Sequence, residues 1–335
     1  MEESPPRGLL VLGMSITPLH PGVGRAPGVV DLPVARDPLG YPIILASGVK
    51  GALKALCGRR LCEERLKGDE GRIDCDRCLE GGGEADNKCL LCCCLFGPEP
   101  GSGEKGAGLL SVLDFFLLAI PVPSASHGYV YLTSPYLLKR ALGLLEILKT
   151  EGVRKADELY SAIGKLLSKV EDGKSYSAIG GDIDVGGTLI YTEPLKDVSF
   201  LDEELLKGLG GLAYDASKRL VLVPDSEAIH LLERGLIRVT RVRLRIDTKT
   251  VAKGALWTEE YIPPGTLFIG GLIATNYSNE YCTKLCNGKR CSDGDAHNLL
   301  EKFKSEVLKV SNNIAYMLVG GKETIGKGLV KLYVV

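Results

Sequence analysis

A histidine and an isolated carboxylate lie eleven residues apart near the start of the chain. His20 begins a stretch rich in glycine and proline, and Asp31 follows the apolar pair Val29-Val30. A glycine-rich loop lets a ligand approach the backbone closely. A carboxylate among apolar residues is expected to be partly desolvated, which shifts its pKa and suits acid–base work. The alternative is that Asp31 caps the loop by accepting backbone N–H groups while His20 packs against the core.

A second group of polar side chains lies in the segment ALWTEEYIPPGTLF, which holds the only tryptophan of the chain. Alternation along a strand would place Trp257, Glu259 and Tyr261 on one side. An indole, an acid and a phenol together could stack a base and orient a proton donor. The alternative is a half-exposed core strand whose polar tips are solvated.

Basic residues recur with period two in the segment RVTRVRLRIDTKTVAK. Arg241, Arg243 and Arg245 alternate with apolar residues, which predicts a strand with one basic and one apolar face. The basic face either binds phosphates or is a solvated strand edge protected by charge.

Two further pairs of lysines lie beside glycines. Lys50 and Lys54 are four residues apart on a helix predicted from Ser47, which would leave its N-terminus open to a phosphate or simply to solvent. Lys322 and Lys327 lie in LVGGKETIGKG, which lacks the residue order of an ATP-binding Walker loop. A groove lined by backbone and suited to a phosphodiester is expected there instead.

Eleven cysteines fall mainly into two clusters. The first pairs two Cys-x2-Cys knuckles across a polar loop, and the spacing indicates a structural tetrahedral zinc site formed by Cys75, Cys78, Cys89 and Cys92. Because such a small segment has no core of its own, the metal would hold it folded. Disulfides, which hyperthermophile cytosols permit, and an iron–sulfur cluster are the alternatives.

The second cluster combines three cysteines with a histidine. A closed Cys3His metal site is expected from Cys282, Cys286, Cys291 and His297, although a disulfide with a spare thiol also fits their irregular spacing. Cys57 and Cys62 are explained as small buried hydrophobes on the predicted Lys50 helix.

The composition and periodicity of the sequence predict the kind of fold that positions these residues. With 45% hydrophobic and 25% charged residues, the 335-residue chain is expected to be globular with a full core. Apolar runs are too short to span a bilayer and the N-terminal MEESPPRG does not resemble a signal peptide, so a cytoplasmic protein is expected. Strands and helices follow each other in two similar sets, which predicts an α+β fold of ferredoxin-like type.

Several segments in this order resemble RAMP-superfamily CRISPR proteins, and among them the Cmr-type backbone subunits of type III-B effector complexes. They are PLHPGVG…VVDLPVARDPLGYPIILASGVKGALKAL, LFGP, LLSVLDFFLLAIPV…GYVYLTSPYLLKRAL, ALWTEEYIPPGTLF and GGKETIGKGLV. The likeness spans residues 8–334 and predicts one RAMP domain over residues 1–335. The cysteine clusters depart from it as two insertions, a zinc-binding one at 67–108 and a second metal site at 276–296.

This resemblance implies a ferredoxin-like palm and a β-hairpin thumb. It also implies head-to-tail stacking of copies along a guide RNA beside other CRISPR effector subunits, and cleavage of the complementary target RNA at regular intervals. Asp31 maps onto the family's cutting aspartate, with His20, Glu259 and Tyr261 in support. Contacts to RNA are expected from a wider set of residues: Arg36, Lys50, Lys54, Arg241, Arg243, Arg245, Trp257, Lys322 and Lys327.

Cleavage could use the 2′-hydroxyl of a splayed nucleotide as nucleophile, a group that DNA lacks. Asp31 would take or orient its proton and His20 or Tyr261 would aid the leaving oxygen, or else Asp31 would hold a Mg²⁺ ion. The sequence leaves open two other functions: a purely structural RNA-binding subunit, and a guide-processing ribonuclease of the same superfamily.

Overall fold

The structure, a computed structural model, describes residues 5–26, 28–67, 71–98, 106–195, 201, 203–275 and 279–335. Parts of several predicted segments therefore lie outside the described residues. These parts are residues 1–4 of the polar N-terminus, Pro27 of the loop before Asp31, residues 68–70 and 99–105 of the first insertion, and residues 276–278 of the second.

Strands and helices alternate along the whole chain. The strands are β1 (Gly8–Ser15), β2 (Ile43–Ile44), β3 (Leu66–Lys67), β4 (Arg72–Ile73), β5 (Leu110–Val112), β6 (Phe115–Ser124), β7 (Gly128–Thr133), β8 (Ser175–Ser177), β9 (Gly181–Val185), β10 (Thr188–Pro194), β11 (Leu220–Leu222), β12 (Ile237–Leu244), β13 (Val251–Tyr261), β14 (Leu267–Ala274), β15 (Ile314–Leu318) and β16 (Leu329–Val334). The α-helices are α1 (Ala46–Leu61), α2 (Cys75–Glu80), α3 (Glu84–Phe96), α4 (Pro135–Thr150), α5 (Arg154–Leu167), α6 (Glu203–Leu209), α7 (Gly211–Lys218), α8 (Asp225–Leu232), α9 (Glu280–Leu285) and α10 (Asp293–Lys302). The predicted α+β class is confirmed.

Strand β1 lies inside the main sheet, third from one edge. It pairs antiparallel with β14 on one side and with β16 on the other, and β14 pairs in turn with β6. All eight residues of β1 are buried. Leu9 and Val11 face one hydrophobic cluster, whereas Leu10 and Leu12 face another. Because both faces of the sheet are covered, the strand is apolar throughout instead of alternating.

Helices cover the two faces of this sheet. The first cluster includes residues of α1, α3 and α10, and the second includes residues of α4 and α5. Helix α4 begins as predicted, with Pro135 in its first turn and the Ser134 hydroxyl accepting from the Leu137 N–H. Within the described residues, no helix is both long enough and apolar enough to cross a membrane.

Helix α1 begins at Ala46, two residues earlier than the start predicted with Ser47 as its N-cap. The serine at position 47 does not cap it, because the N-cap position is Leu45 and Leu45 makes no side-chain capping bond. Instead the Asp114 carboxylate, from the turn between β5 and β6, accepts the Ala46 N–H at 2.6 Å. The helix start is thus satisfied by a residue 68 positions away in sequence.

Strands β12 and β13 form a two-stranded antiparallel hairpin separate from the main sheet. Its base lies at the Ile237–Tyr261 pair, and Arg241 pairs with Trp257 further out. The predicted alternation is present, but the apolar positions of the outer half, such as Val242, Leu244 and Leu256, are exposed. The hairpin therefore extends from the body with both faces open to solvent near its tip.

The first predicted insertion is not a coreless loop. Helix α3 carries Cys89, Cys92, Cys93 and Cys94, all buried, and it packs against α1, α2 and α9. We refer to α2, α3 and α9 as the cysteine lobe. The lobe shares the hydrophobic cluster that covers one face of the main sheet, so it does not depend on a metal for a core.

Candidate active site

Asp31 is held against the base of the hairpin by one residue of β13. The Thr258 N–H donates to the Asp31 Oδ2 at 2.8 Å, and the Thr258 hydroxyl donates to the same oxygen at 3.0 Å. The neighbouring Leu32 and Glu259 form a parallel bridge, so the loop runs as a short extra strand beside β13. The alternative that Asp31 accepts backbone N–H groups is thus partly present, because one amide, that of Thr258, donates to one of its carboxylate oxygens.

Asp31 is partly buried, as expected, but burial does not set the direction of its pKa shift. The hydrogen bond from the Thr258 N–H, followed by that from the Thr258 hydroxyl, lowers the pKa of the Asp31 carboxyl. The carboxylate is therefore ionised at neutral pH. Within the described residues, no hydrogen bond reaches Oδ1, and this oxygen is available to a ligand.

Glu259 lies on the opposite face of β13 from Thr258 and is the centre of a buried polar cluster. Its carboxylate, 1% exposed, accepts from Trp257 Nε1 and from Lys322 Nζ, both at 2.7 Å, and from the Tyr261 hydroxyl. Burial alone would raise its pKa, but the bonds from Lys322, Trp257 and Tyr261 outweigh it and lower the pKa to about 2. Glu259 is therefore a fixed anion.

Tyr261 is equally enclosed. Burial, together with the hydrogen bond to the Glu259 carboxylate, raises the pKa of its phenol to about 12. Its proton is already donated to Glu259, and the ring is 2% exposed. The predicted alternation of Trp257, Glu259 and Tyr261 is correct, but the open wall for stacking a base is wrong, because the acid and the phenol face inward.

His20 belongs to this buried cluster and not to the exposed loop. The His20 Nδ1–H donates to the Glu260 carbonyl oxygen at 2.8 Å, and the ring centroid lies 5.5 Å from that of Tyr261. The His20 carbonyl oxygen accepts from the Gly321 N–H at 3.0 Å. Gly320 has φ +83°, and a Cβ there would lie 2.4 Å from the same oxygen, so this approach requires glycine.

Arg36 also makes ion pairs within the protein. Its guanidinium contacts Glu233 at 2.6 Å and the buried Glu260 carboxylate at 3.0 Å, and Arg238 contacts Glu260 at 3.1 Å. The Val34 N–H donates to Glu260 at 3.3 Å. These bonds fasten the loop after Asp31 to the hairpin base, and they occupy the guanidinium that was expected to bind RNA.

The remaining side chains that were predicted to bind RNA differ in their exposure and in their ion pairs within the protein. Arg243 and Arg245 are exposed on the hairpin, although Arg245 pairs with Asp247 at 2.7 Å, and Arg241 lies 3.8 Å from Glu259. The two lysines of the 319–328 segment, which we call the glycine loop, both point to the Glu259 cluster. Lys322 pairs with Glu259, and Lys327 Nζ lies 5.3 Å from the centroid of the Tyr261 ring.

Helix α1 and the glycine loop enclose a groove. A cavity of about 430 Å³ lies between them, lined by small residues that include Gly48, Gly51 and Gly320. A second cavity of about 680 Å³ continues along α1 past Lys54. The Lys54 Nζ donates to the Gly97 carbonyl at 2.8 Å. Burial, and then the charge of Lys54, lowers the pKa of Lys50.

The predicted zinc site at Cys75, Cys78, Cys89 and Cys92 is wrong as a ligand set. Three of these residues form disulfides with other partners: Cys57–Cys92, Cys62–Cys89 and Cys75–Cys93. Cys78 is a buried thiol, and burial raises its pKa to about 11. Because α3 is helical, Cys92 faces α1 while Cys93 faces α2, a direction that the Cys-x2-Cys spacing does not reveal.

The predicted Cys3His site is also wrong. Cys282 is bonded to Cys94, and Cys286 is bonded to Cys291. The His297 Nδ1–H donates to the Pro6 carbonyl oxygen at 3.0 Å. These four side chains therefore have separate partners and do not converge on one point.

Sequence reasoning missed the residues that fix the loop. Nothing marks Thr258 as a partner of Asp31, since 227 residues separate them. Asp37 is buried, accepts the Leu39 and Tyr41 N–H groups at 2.9 and 3.0 Å, and pairs with Arg140. Its signal was available, because Asp-Pro-Leu-Gly is typical of a turn closed by the Asp side chain.

Comparison with known proteins identifies the protein family. Residues 14–331 match the RAMP superfamily, and the chain belongs to that family. Over 328 residues it is 29% identical to the CRISPR system Cmr endoribonuclease Cmr4 of Pyrococcus furiosus, which covers 95% of this chain and 92% of the relative. It is 28% identical to the CRISPR system CMR subunit Cmr4 of Saccharolobus solfataricus, over 95% of this chain and 93% of the relative.

A solved structure agrees with these relatives. A chain of type III-B Cmr-beta bound to cognate target RNA superposes with a TM-score of 0.70 at 26% identity, covering 99% of this chain and 98% of that chain. The predicted resemblance to Cmr-type proteins of type III-B is therefore confirmed.

Proposed function

We propose that this chain is a guide-RNA-binding backbone subunit of a type III-B CRISPR effector complex, acting in the cytoplasm, and that it cleaves the complementary target RNA. The proposal is supported by similarity over nearly the full length to a Cmr endoribonuclease and to a chain bound to target RNA. The observation that carries the catalytic part is the ionised Asp31 carboxylate, which is held through one oxygen and has the other available.

The proposed palm is the ferredoxin-like part of a single domain that includes both cysteine insertions. Strands β16, β1, β14 and β6 are neighbours in that order. Numbered along the chain, β1, β6, β14 and β16 are the first to fourth of these strands, so their order in the sheet is 4-1-3-2, as in a ferredoxin-like fold. Helix α1 lies in the connection from β1 to β6, and α10 lies in the connection from β14 to β16. The proposed thumb is the β12–β13 hairpin, whose exposed outer half could insert between guide and target strands.

In the proposed reaction, Asp31 Oδ1 accepts or orients the proton of the target 2′-hydroxyl, whose oxygen attacks the adjacent phosphorus. The P–O5′ bond breaks as the new bond forms, which leaves a 2′,3′-cyclic phosphate and a 5′-hydroxyl that takes its proton from water. A carboxylate with a low pKa is a weak base, so orientation of the hydroxyl contributes more than proton removal. An alternative within the same site is a Mg²⁺ ion held by Oδ1 and water.

We assign positioning roles to His20, Glu259 and Tyr261. The Glu259 cluster lies on the other face of β13 from Thr258, and its acid and phenol are hydrogen-bonded to each other. These side chains join the glycine loop to the hairpin base. They thereby fix β13, and through Thr258 they fix Asp31.

We propose that RNA backbone lies along two surfaces. One is the groove between α1 and the glycine loop, where small residues allow close approach and Lys50 and Lys54 line the helix. The other is the hairpin, where Arg241 pairs with Trp257 and Arg243 and Arg245 are exposed further toward the tip. The guide and target strands, further copies of the same chain and other effector subunits are the proposed partners. The cysteine lobe has a structural role.

The test uses the complex assembled with guide RNA and a labelled target RNA. Asp31→Asn keeps the size of the side chain and is expected to retain target binding while cleavage falls by at least about 100-fold, the scale of a reacting hydroxyl that is no longer correctly oriented. Asp172→Asn, on an exposed turn, is the matched control. Unchanged cleavage by the Asp31 variant would favour a structural RNA-binding subunit. Cutting of precursor guide RNA at one site by the isolated chain would favour a guide-processing ribonuclease.

A further inference from the structure

Three sulfur atoms converge in the cysteine lobe. The Sγ atoms of Cys78, Cys89 and Cys93 all lie within 4.8 Å of one another, and all three residues are fully buried. In the described part of the chain, this is the one group of three or more potential metal ligands within that distance. Cys89 and Cys93 are one helical turn apart on α3, and Cys78 faces them from α2.

A fourth sulfur adjoins the group. Cys75, at the start of α2, is bonded to Cys93, so its sulfur lies at the same point. Cys89 is bonded outward to Cys62, just past the end of α1. Two disulfides and one free thiol therefore meet in one buried volume, and the thiol belongs to neither disulfide.

We propose that these sulfurs form a redox-gated metal site, with Cys75, Cys78, Cys89 and Cys93 as the ligands of one Zn²⁺ ion when the lobe is reduced. Zn–S bonds of about 2.3 Å in a tetrahedron place neighbouring sulfurs about 3.8 Å apart. The Cys78, Cys89 and Cys93 sulfurs, already within 4.8 Å of one another, need only small shifts to reach that spacing, and reduction lets Cys75 and Cys93 move apart to it. Cys92 is not a ligand, because it points away toward Cys57 on α1.

The change of state balances in electrons and protons. Two equivalents of a dithiol or phosphine reductant break the Cys62–Cys89 and Cys75–Cys93 bonds, and each bond takes up two electrons and two protons. Zn²⁺ then displaces the protons of the four ligand thiols, and Cys62 remains a thiol. In the reverse direction a low-molecular-weight disulfide is the oxidant: thiol–disulfide exchange forms each S–S bond again and passes two electrons to the oxidant, which leaves as two thiols. The ion is then released and Cys78 takes up a proton.

The consequence is that α2 stays fastened to α3 in both redox states. In the oxidised chain the Cys75–Cys93 bond joins the two helices, whereas in the reduced chain the ion joins the same residues. The lobe can therefore keep its form in a reducing or an oxidising compartment, a property that neither a disulfide nor a zinc site has alone.

The experiment compares the full chain before and after anaerobic reduction with a phosphine, followed by incubation with zinc sulfate, removal of unbound metal and elemental analysis. We expect about one zinc per reduced chain and less than 0.1 per oxidised chain. The Cys78→Ser variant breaks no crosslink, so it is expected to keep all five disulfides when oxidised. It should lose at least about 100-fold in zinc affinity when reduced, the upper end of what removing a supporting group costs.

The matched control is Cys92→Ser, which removes the fourth cysteine of the sequence-based ligand set. It is expected to bind one zinc with unchanged affinity after reduction. The proposal would be overturned if the reduced wild-type chain bound no zinc, or if the reduced Cys78→Ser chain bound zinc as tightly as wild type. It would also be overturned if Cys92→Ser lost zinc, or if iron and sulfide were recovered in place of zinc. If a variant fails to fold, cobalt substitution of the wild-type chain decides, since only a four-thiolate site gives the expected tetrahedral sulfur-ligated spectrum.

Discussion

Replacing Glu259 by Gln tests whether the buried anion fastens the hairpin to the body. The Glu259 carboxylate accepts three hydrogen bonds, from Lys322, Trp257 and Tyr261. Its pKa falls from an ordinary 4.5 to about 2 in the folded chain. This difference corresponds to about 3 kcal/mol in favour of the charged form, and Gln resembles the neutral form. We therefore expect Glu259→Gln to lower the free energy of unfolding by about 3 kcal/mol at pH 7.

The sign of the pH dependence follows from the lowered pKa of Glu259. Its stabilising contribution is complete above pH 4.5 and is lost as the pH falls toward about 2. The difference between wild type and Glu259→Gln should thus shrink to roughly half by pH 3 and nearly vanish at pH 2. With an unfolding entropy of about 2.1 cal/mol/K per residue over 335 residues, 3 kcal/mol corresponds to a fall in Tm of about 4 °C.

The assay is guanidinium chloride unfolding of the full chain at pH 7 and pH 3. Glu323→Gln is the matched control, because Glu323 lies in the same glycine loop but is exposed. We expect less than about 0.5 kcal/mol from this control. A loss below about 1 kcal/mol for Glu259→Gln, or a difference from wild type that is the same at both pH values, would refute the reasoning.

Two further predictions concern the hairpin base and the cysteine lobe. Arg36→Met should lower the free energy of unfolding by about 1–3 kcal/mol, because it removes one of the two arginines that pair with the buried Glu260 carboxylate. Arg243→Met, on the exposed hairpin, should leave stability unchanged but reduce the salt dependence of RNA binding by about one counterion. The reverse pattern would be inconsistent with these roles. Replacing Cys94 and Cys282 together by Ser should lower the free energy of unfolding by up to about 5 kcal/mol, since their disulfide closes a loop with a sequence separation of 188. Replacing Cys286 and Cys291 together should lower it by only about 2 kcal/mol, because their separation is 5. Equal losses from the two double variants, measured by guanidinium unfolding, would argue against the chain-entropy account.

Local rules predicted the elements whose cause is local. Ser134 and Pro135 together specify where α4 begins, and the alternation in β13 placed Trp257, Glu259 and Tyr261 on one face. Both signals depend on residues within a few positions of each other, so they could be read without the fold.

Contacts between distant segments could not be predicted in the same way. The start of α1 depends on Asp114, and the ionisation and exposure of Asp31 depend on Thr258, 227 residues away. Cysteine spacing indicated a metal, but which sulfurs meet is decided by the rotation of α3 toward three neighbouring helices. In each case the contact depends on tertiary packing, and the periodicity and spacing of residues in the sequence carry no information about it.

The most direct test of the central claim is a structure of the assembled complex with guide RNA and a target whose 2′-hydroxyl is replaced by hydrogen or fluorine at the cleavage position. We predict that Asp31 Oδ1 lies within about 3 Å of the substituted 2′ position, or one water or Mg²⁺ ion away from it, while Oδ2 keeps its bonds to Thr258. An Asp31 carboxylate with both oxygens bound by protein groups, at a distance from any phosphodiester bond, would contradict the nuclease assignment and leave a structural RNA-binding subunit.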